Sequence, residues 1–132
     1  MPVVDFDHIH LRSPNPETAA AWFEQMLGGE IAHGPGRLEV KFGNVVLFIT
    51  PVTEGEDIGA PPVTPHQGLD HIGLTVTGID ALAAELKNKG VEFTREPTTI
   101  RPHVRVCFIR GPQGMSIELL ERGANPGPAA SI

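Results

Sequence analysis

The tripeptide Asp-His-Ile occurs twice in the chain, once as Asp7-His8-Ile9 and again as Asp70-His71-Ile72. The two histidines stand 63 residues apart in a sequence of 132 residues. A repeat at about half the chain length is typical of two copies of one folding unit. Each copy alternates apolar with other residues, which is the two-residue period of a half-buried strand. We therefore predict two equivalent strands, each of which presents a histidine on the face opposite its core.

The length and composition limit the classes of protein to consider. A chain of 132 residues suits one domain with a substantial core. The net charge of −6 disfavours nucleic acid and anionic membranes as partners, because both require a basic surface. No apolar run approaches a membrane span, and the first residues lack the pattern of a signal peptide. We expect a cytoplasmic protein that binds a small molecule, with neither nucleic acid nor membrane as a partner.

The first half predicts one helix and four strands. The strand around His8 is followed by a helix from Glu17 that ends before Gly28-Gly29. Three segments with strand patterning follow the helix, at Glu30–His33, Arg37–Phe42 and Val45–Ile49. Residues 51–67 contain four prolines and predict a linker loop.

The second half predicts the same order of elements. A strand over Asp70–Val76 leads to a helix that Thr77 or Asp80 would cap and that ends near Gly90. Strands are expected at Val91–Arg95, Val104–Ile109 and Met115–Leu120, with a turn region over Glu96–Pro102 between the first two. The boundaries are then 5–50 for the first module, 68–122 for the second and 123–132 for a flexible tail, within one domain over 1–132. The single cysteine, Cys107, lies in an apolar strand and is expected to be a buried structural thiol.

Glu118 is the unusual residue of the last strand. It lies among Ile117, Leu119 and Leu120, where an ionised carboxylate is costly unless it is paired or binds a metal. Aligning the two halves on Gly43 and Gly114 pairs Leu47 with Glu118. Two histidines and one carboxylate from separate strands form a suitable ligand set for a divalent first-row metal. The alternative is a pair of hydrogen-bonded strand histidines, with Glu118 in a salt bridge to a strand arginine.

The segments 70–76, 89–91 and 108–120, together with the first-half segments 7–9 and 15–29, resemble the vicinal oxygen chelate superfamily. That superfamily includes glyoxalase I, methylmalonyl-CoA epimerase, extradiol dioxygenases and bleomycin-binding proteins. The resemblance covers about residues 5–122. It implies an α+β fold in which two tandem βαβββ modules form an open β-bowl around a metal ion. It also implies a homodimer, because members of the superfamily often dimerise.

Carried over to this sequence, the implied metal ligands are His8, His71 and Glu118. The metal would be zinc, nickel, cobalt, manganese or iron, since this ligand set is compatible with all of them. A fourth ligand, usually glutamate or glutamine in glyoxalase I and the epimerases, is replaced here by Leu47. This departure weakens an exact match to either enzyme. Extradiol dioxygenases use three ligands but also a catalytic tyrosine, and this chain has no tyrosine.

We expect a metal-dependent lyase or isomerase of the glyoxalase type, acting through an enolate-like intermediate. Glu118 or His10 would move the proton. Arg101, His103 and Arg105 would bind an anionic substrate, or would instead form a solvated rim paired with surface acids. Leu47 would contribute to an apolar wall on the other side of the substrate. The alternatives are an Fe(II) extradiol-type dioxygenase and a metal-free small-molecule-binding protein of the bleomycin-resistance kind.

Overall fold

A computed structural model describes residues 3–123 of the chain. The chain divides into two compact units, Met1–Ala60 and Pro61–Ile132. Each unit contains a strand, a helix and three further strands, in that order. The predicted α+β fold with two tandem βαβββ modules is therefore confirmed. The predicted tail lies, except for Gly123, outside the described residues.

The first module contains a four-stranded sheet with the strand order β1-β4-β3-β2. Its elements are β1 (Ile9–Ser13), α1 (Pro16–Leu27), β2 (Glu30–Gly34), β3 (Arg37–Phe42) and β4 (Val45–Pro51). The first strand runs parallel to β4, and the other neighbouring strands are antiparallel. The first and last strands of the module are therefore adjacent, so residues from both ends of the module meet in space.

The second module repeats this topology with the strand order β5-β8-β7-β6. Its elements are β5 (Ile72–Thr75), α2 (Ile79–Asn88), β6 (Phe93–Arg101), β7 (Val104–Arg110) and β8 (Ser116–Arg122). Again the first strand is parallel to the last, and the other pairs are antiparallel. The predicted turn region over Glu96–Pro102 is wrong, because most of it belongs to β6, whose pairing with β7 shifts register three times.

The two helices begin in different ways. Asn15 caps α1, since its side chain accepts a hydrogen bond from the Thr18 amide at 3.1 Å. No side chain of its own segment caps α2, so the expected caps Thr77 and Asp80 are wrong. Instead Glu121 of β8 accepts hydrogen bonds from the amides of Gly78 and Ile79, at 2.8 and 3.1 Å. A carboxylate at this position also favours the positive end of the helix dipole.

Each helix packs against one face of the sheet in its own module. On that face the sheets carry fully buried apolar side chains, among them Val40, Leu47 and Ile49 in the first module and Cys107, Ile109, Ile117 and Leu119 in the second, and the helices contribute the fully buried Phe23 and Leu86. The alternation of buried and partly exposed residues along β4 and β8 places Phe48 and Glu118 on the opposite faces. We call these opposite faces, which carry Phe48 and Glu118, the polar faces. No helix within residues 3–123 is long and apolar enough to cross a bilayer.

Candidate metal centre

Strand pairing fixes how the two modules align. Leu47 pairs with Ile9 in the first module, and Ile117 pairs with Ile72 in the second. Because Ile9 and Ile72 each follow a repeated histidine, Leu47 corresponds to Ile117 and the next residue, Phe48, corresponds to Glu118. The alignment of Leu47 with Glu118 is therefore wrong by one residue.

The physical reason for this error is the length of the last hairpin connection. Two residues separate the paired Phe42 and Val45 in the first module, whereas residues 111–115 separate Arg110 and Ser116 in the second. Gly43 and Gly114 consequently do not occupy equivalent positions in the two modules. Leu47 is 1% exposed and lies on the helix-covered face, so it does not form part of a wall on the polar face.

His71 and Glu118 meet on the polar face of the second module. His71 immediately precedes β5, and its Nε2 lies 3.2 Å from Glu118 Oε1 of the adjacent parallel strand β8. Gly73 pairs with Glu118 in this register and leaves room for the carboxylate, since even a Cβ atom at Gly73 would lie 3.5 Å from Oε1. The Glu118 side chain is 20% exposed. The structure thus joins two of the three sequence-predicted ligands and excludes a salt bridge between Glu118 and an arginine among residues 3–123.

Asp70 completes a chain of three side chains. Its Oδ1 lies 2.6 Å from His71 Nδ1, on the side of the ring away from Glu118. The hydrogen bond to Asp70 raises the pKa of His71, and Glu118 raises it further, while partial burial acts in the opposite direction. Both ring nitrogens therefore face carboxylate oxygens, which can only accept hydrogen bonds. The two acids therefore favour the charged form of the ring more than water does around a free histidine.

The first module places an aromatic ring where the second has its acid. His8 immediately precedes β1, and its ring stacks on Phe48 with centroids 4.0 Å apart and an interplanar angle of 22°. The Arg37 guanidinium lies 4.1 Å from the centroid of the same ring and also pairs with Glu39 at 3.1 Å. His8 Nδ1 lies 2.6 Å from Asp7 Oδ2, just as His71 Nδ1 contacts Asp70. Sequence reasoning missed Phe48, Arg37 and both aspartates, although the repeated Asp-His pair was a visible signal.

His10, the other predicted proton carrier, lies on the polar face of the first module. It pairs with Phe48 in the parallel register of β1 and β4. Its Nε2 lies 2.7 Å from Thr50 Oγ1, and the residue is exposed. The side chain can therefore exchange a proton with solvent or with a ligand on this face.

The predicted arginine cluster does not stay together. Arg105 is 6% exposed on the helix-covered face, where its Nε and a terminal nitrogen donate to the two carboxylate oxygens of Asp80 at 2.9 and 2.7 Å. The expectation that Arg105 contacts substrate is corrected on this geometry, because the bidentate pair anchors α2 to β7. Arg101 is exposed at the end of β6, and His103 lies in the following turn with φ 66°.

The His71–Glu118 pair fits a divalent metal ion. An ion bound at about 2.0–2.1 Å to a histidine nitrogen and about 2.0–2.2 Å to a carboxylate oxygen holds these atoms roughly 3 to 3.5 Å apart. The observed 3.2 Å separation lies in this range. The bond from His71 to Asp70 is the outer hydrogen bond typical of metal-binding histidines. Among residues 3–123, no three His, Cys, Asp or Glu side chains are gathered as a metal-binding group, so the structure shows a two-residue half-site.

Comparison with known proteins agrees with the fold. The chain is 22% identical to a lactoylglutathione lyase of Arabidopsis thaliana over 96% of its length, and 27% identical to a probable chloroplastic lactoylglutathione lyase of the same plant over 95%. It covers only 47% and 38% of those two proteins, so it spans half or less of their length. The human mitochondrial methylmalonyl-CoA epimerase is 26% identical over 86% of this chain and 71% of its own.

Solved structures show the same architecture. A glyoxalase family protein from Bacillus cereus matches with a TM-score of 0.79 and 18% identity over 93% of this chain and 97% of its own. Another from Enterococcus faecalis matches with a TM-score of 0.70 and 22% identity over 90% and 98%. The sequence profile of one family covers residues 5–119. The chain belongs to the glyoxalase, bleomycin resistance protein and dioxygenase superfamily.

Proposed function

We propose that the protein is a metal-dependent lyase or isomerase of the glyoxalase type, acting on a small substrate with one or two oxygen atoms that bind the metal. The observation that carries this proposal is the pair of donor atoms, His71 Nε2 and Glu118 Oε1, 3.2 Å apart on neighbouring strands. The names of the matched relatives, two lyases and an epimerase, support the same class of reaction. A passive binder would have no need of an acid at this costly position.

The residues that would hold the ion are His71 and Glu118, with His8 as the third ligand. His8 is included because it occupies the position in its module that His71 occupies in the other, with the same contact to a preceding aspartate. The ion, which could be zinc, nickel, cobalt, manganese or iron, would supply Lewis-acid stabilisation of negative charge on a substrate oxygen. The position where the first module would supply a fourth ligand is occupied by Phe48, not by Leu47, and Phe48 cannot bind the ion.

Proton transfer is assigned to Glu118 or His10. Glu118 is partly exposed on the polar face, and its carboxylate oxygen lies 3.2 Å from His71 Nε2. His10 carries an imidazole on the polar face of the first module, where the Thr50 hydroxyl can hold one ring nitrogen. One of these two side chains, Glu118 or His10, would move the proton at a carbon beside the substrate oxygen.

The substrate is a small molecule, and we propose that it carries an anionic group. Arg101 and His103 remain the proposed contacts for that group, since Arg105 is held by Asp80. The homodimer and the cytoplasmic location stay predictions.

The test is the metal content of freshly purified protein and of the His71→Ala variant, measured by mass spectrometry. We expect the variant to lose bound metal together with activity toward 2-oxo acid adducts or thioesters. His33→Ala is the control, because His33 is an exposed residue of β2, and it should keep both. An unchanged metal content in His71→Ala would contradict the ligand assignment. Oxygen uptake with a catechol would instead identify the Fe(II) dioxygenase.

A further inference from the structure

Both proposed histidine ligands contact an acid through the same ring nitrogen. Asp7 Oδ2 lies 2.6 Å from His8 Nδ1, and Asp70 Oδ1 lies 2.6 Å from His71 Nδ1. In each module the acid is the residue directly before the histidine, and the histidine is the residue directly before the first strand. The arrangement therefore occurs twice, although His8 faces Phe48 in the first module and His71 faces Glu118 in the second.

We propose that Asp7 and Asp70 are positioning residues, which hold His8 and His71 in the tautomer and ring orientation that present Nε2 as the metal ligand. The inference rests on the proposed function for the identity of the ligands. A carboxylate only accepts hydrogen bonds, so the nitrogen that faces it must carry the hydrogen. In the neutral His8 ring, the lone pair then belongs to Nε2. In His71, Nε2 also faces Glu118, so Asp70 keeps the hydrogen on Nδ1 once Nε2 has lost its own. Fixing this choice before binding removes the cost of selecting it during binding.

The contacts of His8 show why stacking alone does not fix the ring. The stack on Phe48 sets the plane of the imidazole, but a half-turn about the Cβ–Cγ bond keeps this plane and exchanges Nδ1 with a carbon. Within residues 3–123, the Asp7 contact is what distinguishes these two orientations. For His71 the T-shaped contact with Phe108, with centroids 5.0 Å apart, takes the place of the stack, and Asp70 at Nδ1 acts together with Glu118 at Nε2 to hold the ring orientation.

Both aspartates can be changed without disturbing a core. Their side chains are 86% and 59% exposed, so truncation removes little buried area. Asp5 provides a matched control for charge near His8, because it is an exposed acid two residues before Asp7 and accepts a hydrogen bond from the Phe6 amide at 2.8 Å. Asp57, an exposed loop acid of the same charge, serves for Asp70.

The first experiment measures zinc affinity by competition with a chromophoric chelator. We expect Asp7→Ala and Asp70→Ala each to bind zinc about 10- to 100-fold more weakly, the range found when outer partners of metal-binding histidines are removed. Asp7→Asn and Asp70→Asn should recover most of the affinity, since an amide oxygen accepts the same hydrogen bond. Asp5→Ala and Asp57→Ala should bind as the unmodified protein does. Equal losses in the alanine and asparagine variants, or losses matched by the controls, would overturn the proposal.

The second experiment needs no metal. Long-range nitrogen–proton correlation spectra of the metal-free protein, recorded where His8 is neutral, should show its hydrogen on Nδ1. In Asp7→Ala the hydrogen should move to Nε2, the form that prevails in free histidine, while Asp5→Ala should leave it on Nδ1. An Nε2 hydrogen in the unmodified protein would overturn the positioning role even if zinc binds. An Nδ1 hydrogen in a protein that binds no zinc would support the positioning role and contradict the proposed function.

Discussion

The two modules share one topology and differ at the position that faces each repeated histidine. In the second module Glu118 receives a hydrogen bond from His71, whereas in the first module Phe48 stacks on His8. The backbone that positions each pair is the same, namely a first strand parallel to the last. One residue in each module thus decides whether the polar face offers a donor pair or an aromatic surface. Substitutions at aligned positions test whether this one residue accounts for the difference between the modules.

The largest expected effect tests the alignment itself. Leu47→Glu places a carboxylate on the helix-covered face, where the leucine is 1% exposed, so we expect a loss of more than about 4 kcal/mol in the free energy of unfolding. Phe48→Glu changes a partly exposed residue of the polar face and should cost only about 1 to 2 kcal/mol. Urea unfolding followed by circular dichroism measures both. Equal losses would show that the two positions are not on opposite faces.

The next effect concerns how the helices are held. Asp80→Ala leaves the buried Arg105 without its bidentate partner and should destabilise the protein by about 3 kcal/mol. Asn15→Ala removes the local cap of α1 and should cost about 1 kcal/mol. The same urea experiment measures the difference. A larger loss for Asn15→Ala would contradict the view that α2 depends on contacts to distant strands more than α1 does.

A third effect depends on pH. Strand pairing aligns Cys107 of the second module with Leu38 of the first, and both are buried. Burial raises the pKa of the Cys107 thiol from its ordinary value of 9.0 to about 11. The folded state holds the proton more tightly than the unfolded state, so stability is retained below pH about 9 and lost as the pH rises toward 11, at about 1.4 kcal/mol per pKa unit.

The Cys107→Ala variant isolates this contribution. Its stability, relative to the unmodified protein, should improve as the pH is raised from 9 to 11, because it has no thiol to ionise. Thermal unfolding across this range measures the difference. A pH-independent difference between the two proteins would contradict the raised pKa.

The smallest expected effect is a gain in metal affinity. Phe48→Glu gives the first module the acid that the second has, and zinc should then bind about tenfold more tightly, a change of about 1.4 kcal/mol. Phe48→Leu removes the ring without adding a donor and should show no gain. Chelator competition measures both variants. A Phe48→Glu protein with unchanged affinity would indicate that this face of the first module does not reach the ion.

The order of elements could be predicted from the sequence because it depends on local patterns. The repeat of Asp-His-Ile, the period-two strands and the glycines after α1 are all signals within a few residues. The start of α2 could not be predicted in this way, because its amides are capped by Glu121, more than 40 residues away along the chain. The strand β6 was divided by a predicted turn because proline and threonines at 97–99 resemble a loop, whereas the bulged pairing with β7 accommodates them.

The candidate site was only partly predictable for the same reason. Glu118 stood out as a charge among apolar neighbours, and its contact with His71 is in the structure. The partner position in the first module depended on the length of the last turn, two residues in the first module against five in the second, which shifts the alignment by one residue and which no local signal revealed. The side of the sheet occupied by Arg105 depended on register, so an arginine that seemed suited to an anionic substrate instead pairs with Asp80.

The parallel pairing of β5 with β8 has a consequence for biosynthesis. His71 leaves the ribosome well before Glu118, and the residues between them form β5, α2, β6 and β7. The half-site therefore arises only as the final strand docks, and the same docking delivers Glu121 to the start of α2. A nascent chain that stalls before this strand lacks both the ligand and the cap, so the capacity to bind metal reports on completed folding of this half.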